Sequence, residues 1–190
     1  MSPPATTGER IRDAALDLFS ERGFHGTGIR HLAEHAGVSS ASLYHYMGTK
    51  EDLLVALMLE SLERLVADAD RVVAVPGPAP ERLAALVRMH VTAHAERPRE
   101  TRVVDHELDV LGEESRARVV ALRDRYEQVW RGVLDDLGTA AGRSALTRRA
   151  LLEMCSGVSR WFDPRGAQGV AEVADEYAAM ALRLVEHQRL

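Results

Sequence analysis

Apolar residues recur along this chain at the spacing of a helix and nowhere at the alternation of a strand. Ile11, Ala14, Ala15, Leu18 and Phe19 mark one face of a first helix over about residues 7–22, opened by a Thr6-x-x-Glu9 capping box and stopped by Gly23. Ile29, Leu32, Ala33 and Ala36 repeat at i, i+3, i+4 and i+7 on a second, short helix, with Thr27 as its expected N-cap. Gly37 follows, the residue type that takes the left-handed conformation a tight interhelical turn needs. Ser39 caps a third helix reaching residue 46, with Leu43 and Met47 inward. Thr49 and Asp52 open a fourth, over about 50–72. After the break at Val75-Pro-Gly-Pro-Ala-Pro80, helical patterns run over roughly 80–96, 98–111, 114–137, 144–162 and 168–188, punctuated by Pro98, Gly112, Gly138 and Asp163-Pro164-Arg165-Gly166. The pattern predicts an all-α fold of about nine helices. It divides into a three-helix head over residues 1–50 and a helical body over 51–190.

The third helix leaves Ser40, Ala41, Ser42 and His45 outward. Small or polar outward residues near a helix N-terminus let that helix enter a major groove closely and show those residues to base edges. Tyr44 and Tyr46 add phenol hydroxyls suited to phosphates, and Thr27 and Ser39 stand at the helix starts beside them. Lys50 is the chain's only lysine. In the first turn of the fourth helix the dipole disfavours a cation by about 0.3–1 kcal/mol. That placement suits a lysine held for a backbone phosphate. The expected partner is double-stranded DNA.

Residues 27–53 resemble the DNA-binding domain of the TetR family of transcriptional regulators. The family pattern runs roughly Thr-x-x-x-(Ile/Leu)-Ala-x-x-Ala-Gly-Val-Ser-x-x-x-Leu-Tyr-x-(Tyr/His)-Phe-x-x-Lys-x-x-Leu. Thr27, Leu32, Ala33, Ala36, Gly37, Val38, Ser39, Leu43, Tyr44, Tyr46, Lys50 and Leu53 meet it in register. The chain departs at Gly28 and at Met47, where Phe is usual. Gly28 is expected to cost about 1 kcal/mol of helix propensity and to loosen the first turn of its helix. The resemblance implies a homodimeric repressor, not an enzyme and without a cofactor, released by a small molecule from a palindromic operator. The coupling it implies is a shift of the 50–72 helix.

Charge complicates this reading. The chain carries a net −5, and residues 1–60 hold five basic side chains against eight acidic ones, a net −3. Four of those acids, Glu9, Asp13, Asp17 and Glu21, lie on the first helix, away from the motif. Weak nonspecific DNA binding is the expected consequence. A helical binding module, or a helical enzyme that has kept the fold, is the alternative. No apolar run approaches the ~18–20 residues of a membrane-spanning helix. The N-terminal stretch MSPPATTGER lacks an apolar signal core, and Cys155 is the single cysteine. These features point to a cytoplasmic protein with no membrane partner.

In the body, His90 and His94 are spaced i, i+4, with Asp105, His106 and Glu107 on the next predicted helix. A metal pair or a polar pocket lining would both fit. With no fixed third ligand the pocket lining is favoured, and no metal is expected. Arg123 to Trp130, Gly157 to Pro164 and Val173 to Tyr177 resemble the C-terminal domain of FadR- and KstR-type regulators of lipid and steroid breakdown. Ser159, Arg160, Trp161, Phe162, Pro164 and Gly166 fit their Ser-x-Arg-Trp-(Tyr/Phe)-x-Pro-x-Gly tail. That resemblance implies a hydrophobic effector, a CoA thioester first, with a drug-like molecule as the rival. The expected pocket draws Met89, His90, Ala93 and His94 from one helix and His106 and Leu111 from the next. Arg123, Tyr126 and Trp130 come from the third, and Met154, Val158 and Trp161 from the fourth. Arg123 or Arg160 would meet CoA phosphates at the mouth. For the homodimer, the expected face joins Leu152, Cys155 and Ser159 to Val173, Tyr177, Ala178, Ala181 and Leu184. Its small residues permit close helix packing, and the same stripes would also serve the monomer's own core.

Overall fold

The computed structural model describes residues 5–138 and 141–186, with side chains described from Arg143 onward in the second stretch. Among them there is no strand. Ten α-helices occur in order: α1 Thr7–Gly26, α2 Ile29–Ala36, α3 Ser40–Met47, α4 Lys50–Ala74, α5 Ala79–Glu96, α6 Pro98–His106, α7 Glu113–Asp136, α8 Ala141–Ser156, α9 Val158–Trp161 and α10 Val170–Glu186. A 3-10 turn at Leu108–Val110 follows α6.

The local signals act much as the sequence predicts. Thr6 and Glu9 form a reciprocal capping box on α1, and Thr49 and Asp52 form another on α4. Gly37 closes α2 at φ 62°, ψ 40°, the left-handed cap. Gly23 breaks α1 with φ 73°, and one further turn continues to Gly26. Two expected helices are divided. Residues 98–111 split at Glu107, and 144–162 split at Gly157 into α8 and the one-turn α9. Gly28 is the N-cap of α2 rather than a residue inside it. Glycine is tolerated at an N-cap, so the expected propensity cost falls away.

Two cores share α4. One gathers α1, α2, α3 and α4 as far as Leu62, and reaches Val103 and Val104 of α6, Leu111 and Val119. The other runs from Leu65 on α4 through α5, α7, α8 and α10. The expected boundary at 50/51 thus falls at the start of the helix that both cores use. α10 lies along α5, burying Val173, Ala174, Ala178, Ala181 and Val185. Among the described residues no helix is long and apolar enough to cross a membrane.

Candidate functional site

The head presents α3 outward. Leu43 and Met47 are buried against α1 and α4, as their spacing predicts. Ser39 accepts a hydrogen bond from the Ser42 backbone at 3.1 Å and fixes the N-terminus of α3. Ser40, Ala41 and His45 are exposed, and Tyr44 and Tyr46 stand 54% and 59% exposed. Tyrosines that much exposed have rings and hydroxyls free to meet a partner. Gly48 joins α3 to α4 at φ 66°, and a Cβ there would lie 2.8 Å from the capping oxygen Asp52 Oδ2. The sequence reading passed over this glycine.

Two residues expected to contact DNA are engaged within the chain. Thr27 is 1% exposed, does not cap α2, and donates its hydroxyl to the Gly23 carbonyl at 2.9 Å. It secures the α1–α2 turn. The Lys50 Nζ donates to the carbonyls of Phe24 at 2.7 Å and Thr27 at 2.8 Å, and sits 4.0 Å above the Phe24 ring. Partial burial lowers its pKa below the ordinary lysine value, while the nearby Glu107 carboxylate opposes that shift. The lysine therefore clamps the end of α1. Arg10 is a basic residue that the periodicity did not single out. Its guanidinium comes within 3.9 Å of where a Cβ on Gly37 would stand, so it brings positive charge to the turn between α2 and α3.

The acidic charge of the head also finds its explanation here. Asp17 pairs with Arg99 and lies 3.3 Å from His35, and Glu60 pairs with Arg12 and Arg64. Glu51 accepts from the Gly112 backbone at 2.9 Å, and Glu9 and Asp52 serve their capping boxes. Five of the eight acids counted above are thus engaged within the chain.

The body holds a cavity of about 190 Å³. Leu62 and Leu65 of α4, Val104 of α6 and Leu152 of α8 form its apolar side. His90 and His94 of α5, Thr101 and Asp105 of α6, Tyr126 of α7 and Ser156 of α8 form the polar side. Arg123, Glu127, Arg149 and Glu153 complete the lining. Of the expected pocket, His90, His94, Arg123 and Tyr126 are here. Met89, Ala93, Trp130, Met154 and Val158 pack in the body core instead, because their side of each helix faces neighbouring helices. Leu111 belongs to the head's core, while His106 and Trp161 are exposed. Arg160 is exposed and lines no part of the cavity, where Arg149 stands instead.

His90 is locked in place. Its Nδ1 is 2.6 Å from the Tyr126 hydroxyl, its Nε2 is 3.2 Å from Ser156 Oγ, and its ring stacks on His94. Burial, and next to it the neighbouring His94, push its pKa well below the ordinary 6.5, so the ring is neutral. Burial raises the Tyr126 hydroxyl and pushes the Cys155 thiol up to about 12. Both stay protonated.

The dimer face is also corrected. Cys155, Val173, Ala178 and Ala181 are 0–3% exposed within one chain, and Ser159 is buried with its hydroxyl donated to the Ser156 carbonyl. Leu152 lines the cavity. Burial takes Cys155, Ser159, Val173, Ala178 and Ala181 out of the chain's exposed surface. Among the described residues, the exposed large apolar side chains of α8 to α10 are Leu146 of α8, Trp161 of α9, and Met180 and Leu184 of α10. The half-buried Tyr177 stacks on Trp161 at 6.5 Å. Only Tyr177 and Leu184 come from the expected set.

Comparison with known proteins follows this two-part division. Residues 11–57 match the family described as bacterial regulatory proteins, tetR family, and residues 76–185 match the tetracyclin repressor-like C-terminal domain. The HTH-type transcriptional repressor KstR2 of Rhodococcus jostii (strain RHA1) is 30% identical over 194 residues, covering 95% of each chain. The crystal structure of the TetR family transcriptional regulator PfmR from Thermus thermophilus superposes with TM-score 0.79 at 34% identity, covering 92% of this chain and 97% of that one. AibR, in complex with isovaleryl coenzyme A and operator DNA, superposes with TM-score 0.78 at 24% identity, covering 92% and 97%.

Proposed function

This chain belongs to the TetR family of transcriptional regulators, and from that premise we propose that it is a repressor released from a palindromic operator by a CoA thioester. Its family and relatives are regulators rather than enzymes. The observation that carries the proposal is the reach of α4. Its first residue clamps the end of α1 in the reading head, and its Leu62 and Leu65 form a wall of the body cavity. A ligand pressing on those leucines tilts the helix that runs from the head core into the cavity wall. The apolar wall suits an acyl group, and Arg123 and Arg149 supply cations for phosphates. AibR is a protein of this fold that carries isovaleryl coenzyme A. The cavity lies below the roughly 300–1,000 Å³ of sites for drug-sized ligands, which favours a short acyl group over a polycyclic one.

The working unit is a homodimer formed through Leu146, Trp161, Tyr177, Met180 and Leu184, which pairs two α3 helices with two half-sites. It acts on DNA in the cytoplasm. Fluorescence anisotropy on the DNA upstream of the chain's own gene tests this. A two-fold-symmetric site should be bound, and short acyl-CoAs should release it while the matching free acids do not. Binding without release by any acyl-CoA would leave the DNA-binding half of the proposal and remove the effector half.

A further inference from the structure

His94 is 2% exposed and borders the cavity with its ring stacked on His90, centroids 4.0 Å apart. Its Nδ1 lies 3.0 Å from the backbone carbonyl oxygen of His90. A carbonyl has no proton to give, so Nδ1 carries the hydrogen. With Nδ1 as the donor, Nε2 is the ring's free position on the cavity side, and in the uncharged tautomer it is a lone-pair acceptor. Asp105 of α6 faces it, with Oδ2 3.7 Å from Nε2, beyond hydrogen-bond reach. The other carboxylate oxygen is 3.9 Å from Arg123, whose closer hydrogen bond goes to the Val104 carbonyl at 2.7 Å. One wall of the cavity therefore sets two acceptors side by side with a cation behind them, and among the described residues no donor stands within hydrogen-bond distance of either.

We propose that this His94–Asp105–Arg123 wall determines effector specificity by recognising a hydroxyl, so that the effector's acyl group is a short hydroxyacyl rather than a saturated one. The proposal rests on the thioester reading above. A hydroxyl both donates and accepts. It can give its proton to Nε2 or to the carboxylate and take a hydrogen bond from Arg123. A ketone only accepts, which leaves both acceptors unmatched. A carboxylate is repelled by Asp105, with Glu127 and Glu153 in the same lining. Sites built to bind a hydroxyl discriminate against the analogue that lacks it, because a buried group left unpaired, here the His94 ring, bears the desolvation cost.

Calorimetry with butyryl-CoA, 3-hydroxybutyryl-CoA and acetoacetyl-CoA tests it. The hydroxy ester should bind about tenfold or more tightly than the saturated ester, the equivalent of one hydrogen bond to a charged or buried partner. The keto ester should gain nothing. In His94→Phe the preference for the hydroxyl should vanish. Asp105→Asn gives an independent route that keeps the wall's shape. Its amide can donate to Nε2 within the protein, so it too should lose the preference. Equal binding of the saturated and hydroxy esters by the wild type would overturn the hydroxyl assignment and leave the thioester reading standing. A preference that survives in both variants would also overturn it. Absence of binding by all three esters would overturn the thioester reading, and this assignment with it.

Discussion

Lys50 shows how a residue read for one task can hold another. Two charge-assisted hydrogen bonds to Phe24 and Thr27 carbonyls, with the cation over the Phe24 ring, make it part of the head's frame. Lys50→Met should lower stability by about 1–2 kcal/mol, a Tm decrease of roughly 2–8 °C. Operator binding should weaken as well. Weakened binding with an unchanged Tm would mean that the lysine serves DNA alone. His90 makes a pH prediction. In the unfolded chain it takes up a proton as pH falls through about 6.5, whereas the buried, neutral ring does not. Below that pH the unfolded state binds more protons, so stability falls with acidification by up to about 1.4 kcal/mol per pH unit. Denaturant titrations between pH 7 and 5 should show this slope reduced in His90→Gln. An identical slope would place the titrating group elsewhere.

At the level of elements, α10 separates two kinds of apolar position. Ala178 and Ala181 face α5 with almost no exposure, while Met180 and Leu184 are 44% and 39% exposed. Ala181→Asp should unfold the chain or cost more than about 3 kcal/mol, because it places an unpaired charge in a packed interface. Met180→Asp combined with Leu184→Asp should leave helix content intact and shift sedimentation from dimer to monomer. If the double variant sediments as wild type, the dimer forms through another face. The α3–α4 junction is as exacting. Gly48→Ala would strain a positive φ and crowd the carboxylate that caps α4. It should cost about 1–2 kcal/mol in thermal melts, more than an ordinary surface substitution.

At the scale of the whole molecule, function depends on two cores sharing α4. Linkage requires that coupling be reciprocal. An effector that weakens operator binding by some factor must itself bind more weakly, by the same factor, when operator is present. Effector titrations with and without saturating operator check this, and unequal factors would show that the two sites do not share a single equilibrium. Effector at about a hundredfold its Kd should also stabilise the free protein by about 2.7 kcal/mol.

Sequence by itself determined what short-range physics determines. Periodicity located the helices, and the Thr6/Glu9 and Thr49/Asp52 boxes and the Gly37 turn set their ends within a few residues. These depend on neighbours three or four positions away. The helix-turn-helix was legible because its family pattern lies within one short segment. Tertiary structure alone decided which face of a body helix meets a cavity, a core or solvent. Ala178 and Ala181 carry the small side chains of a dimer seam, yet α5 covers them. Met154 and Leu152 stand two positions apart on one helix, and only the leucine reaches the cavity. Asp105 and His94 meet across two helices, with no spacing in the chain to announce it. An amphipathic pattern says that a face is buried, but which neighbour buries it follows from how the helices cross.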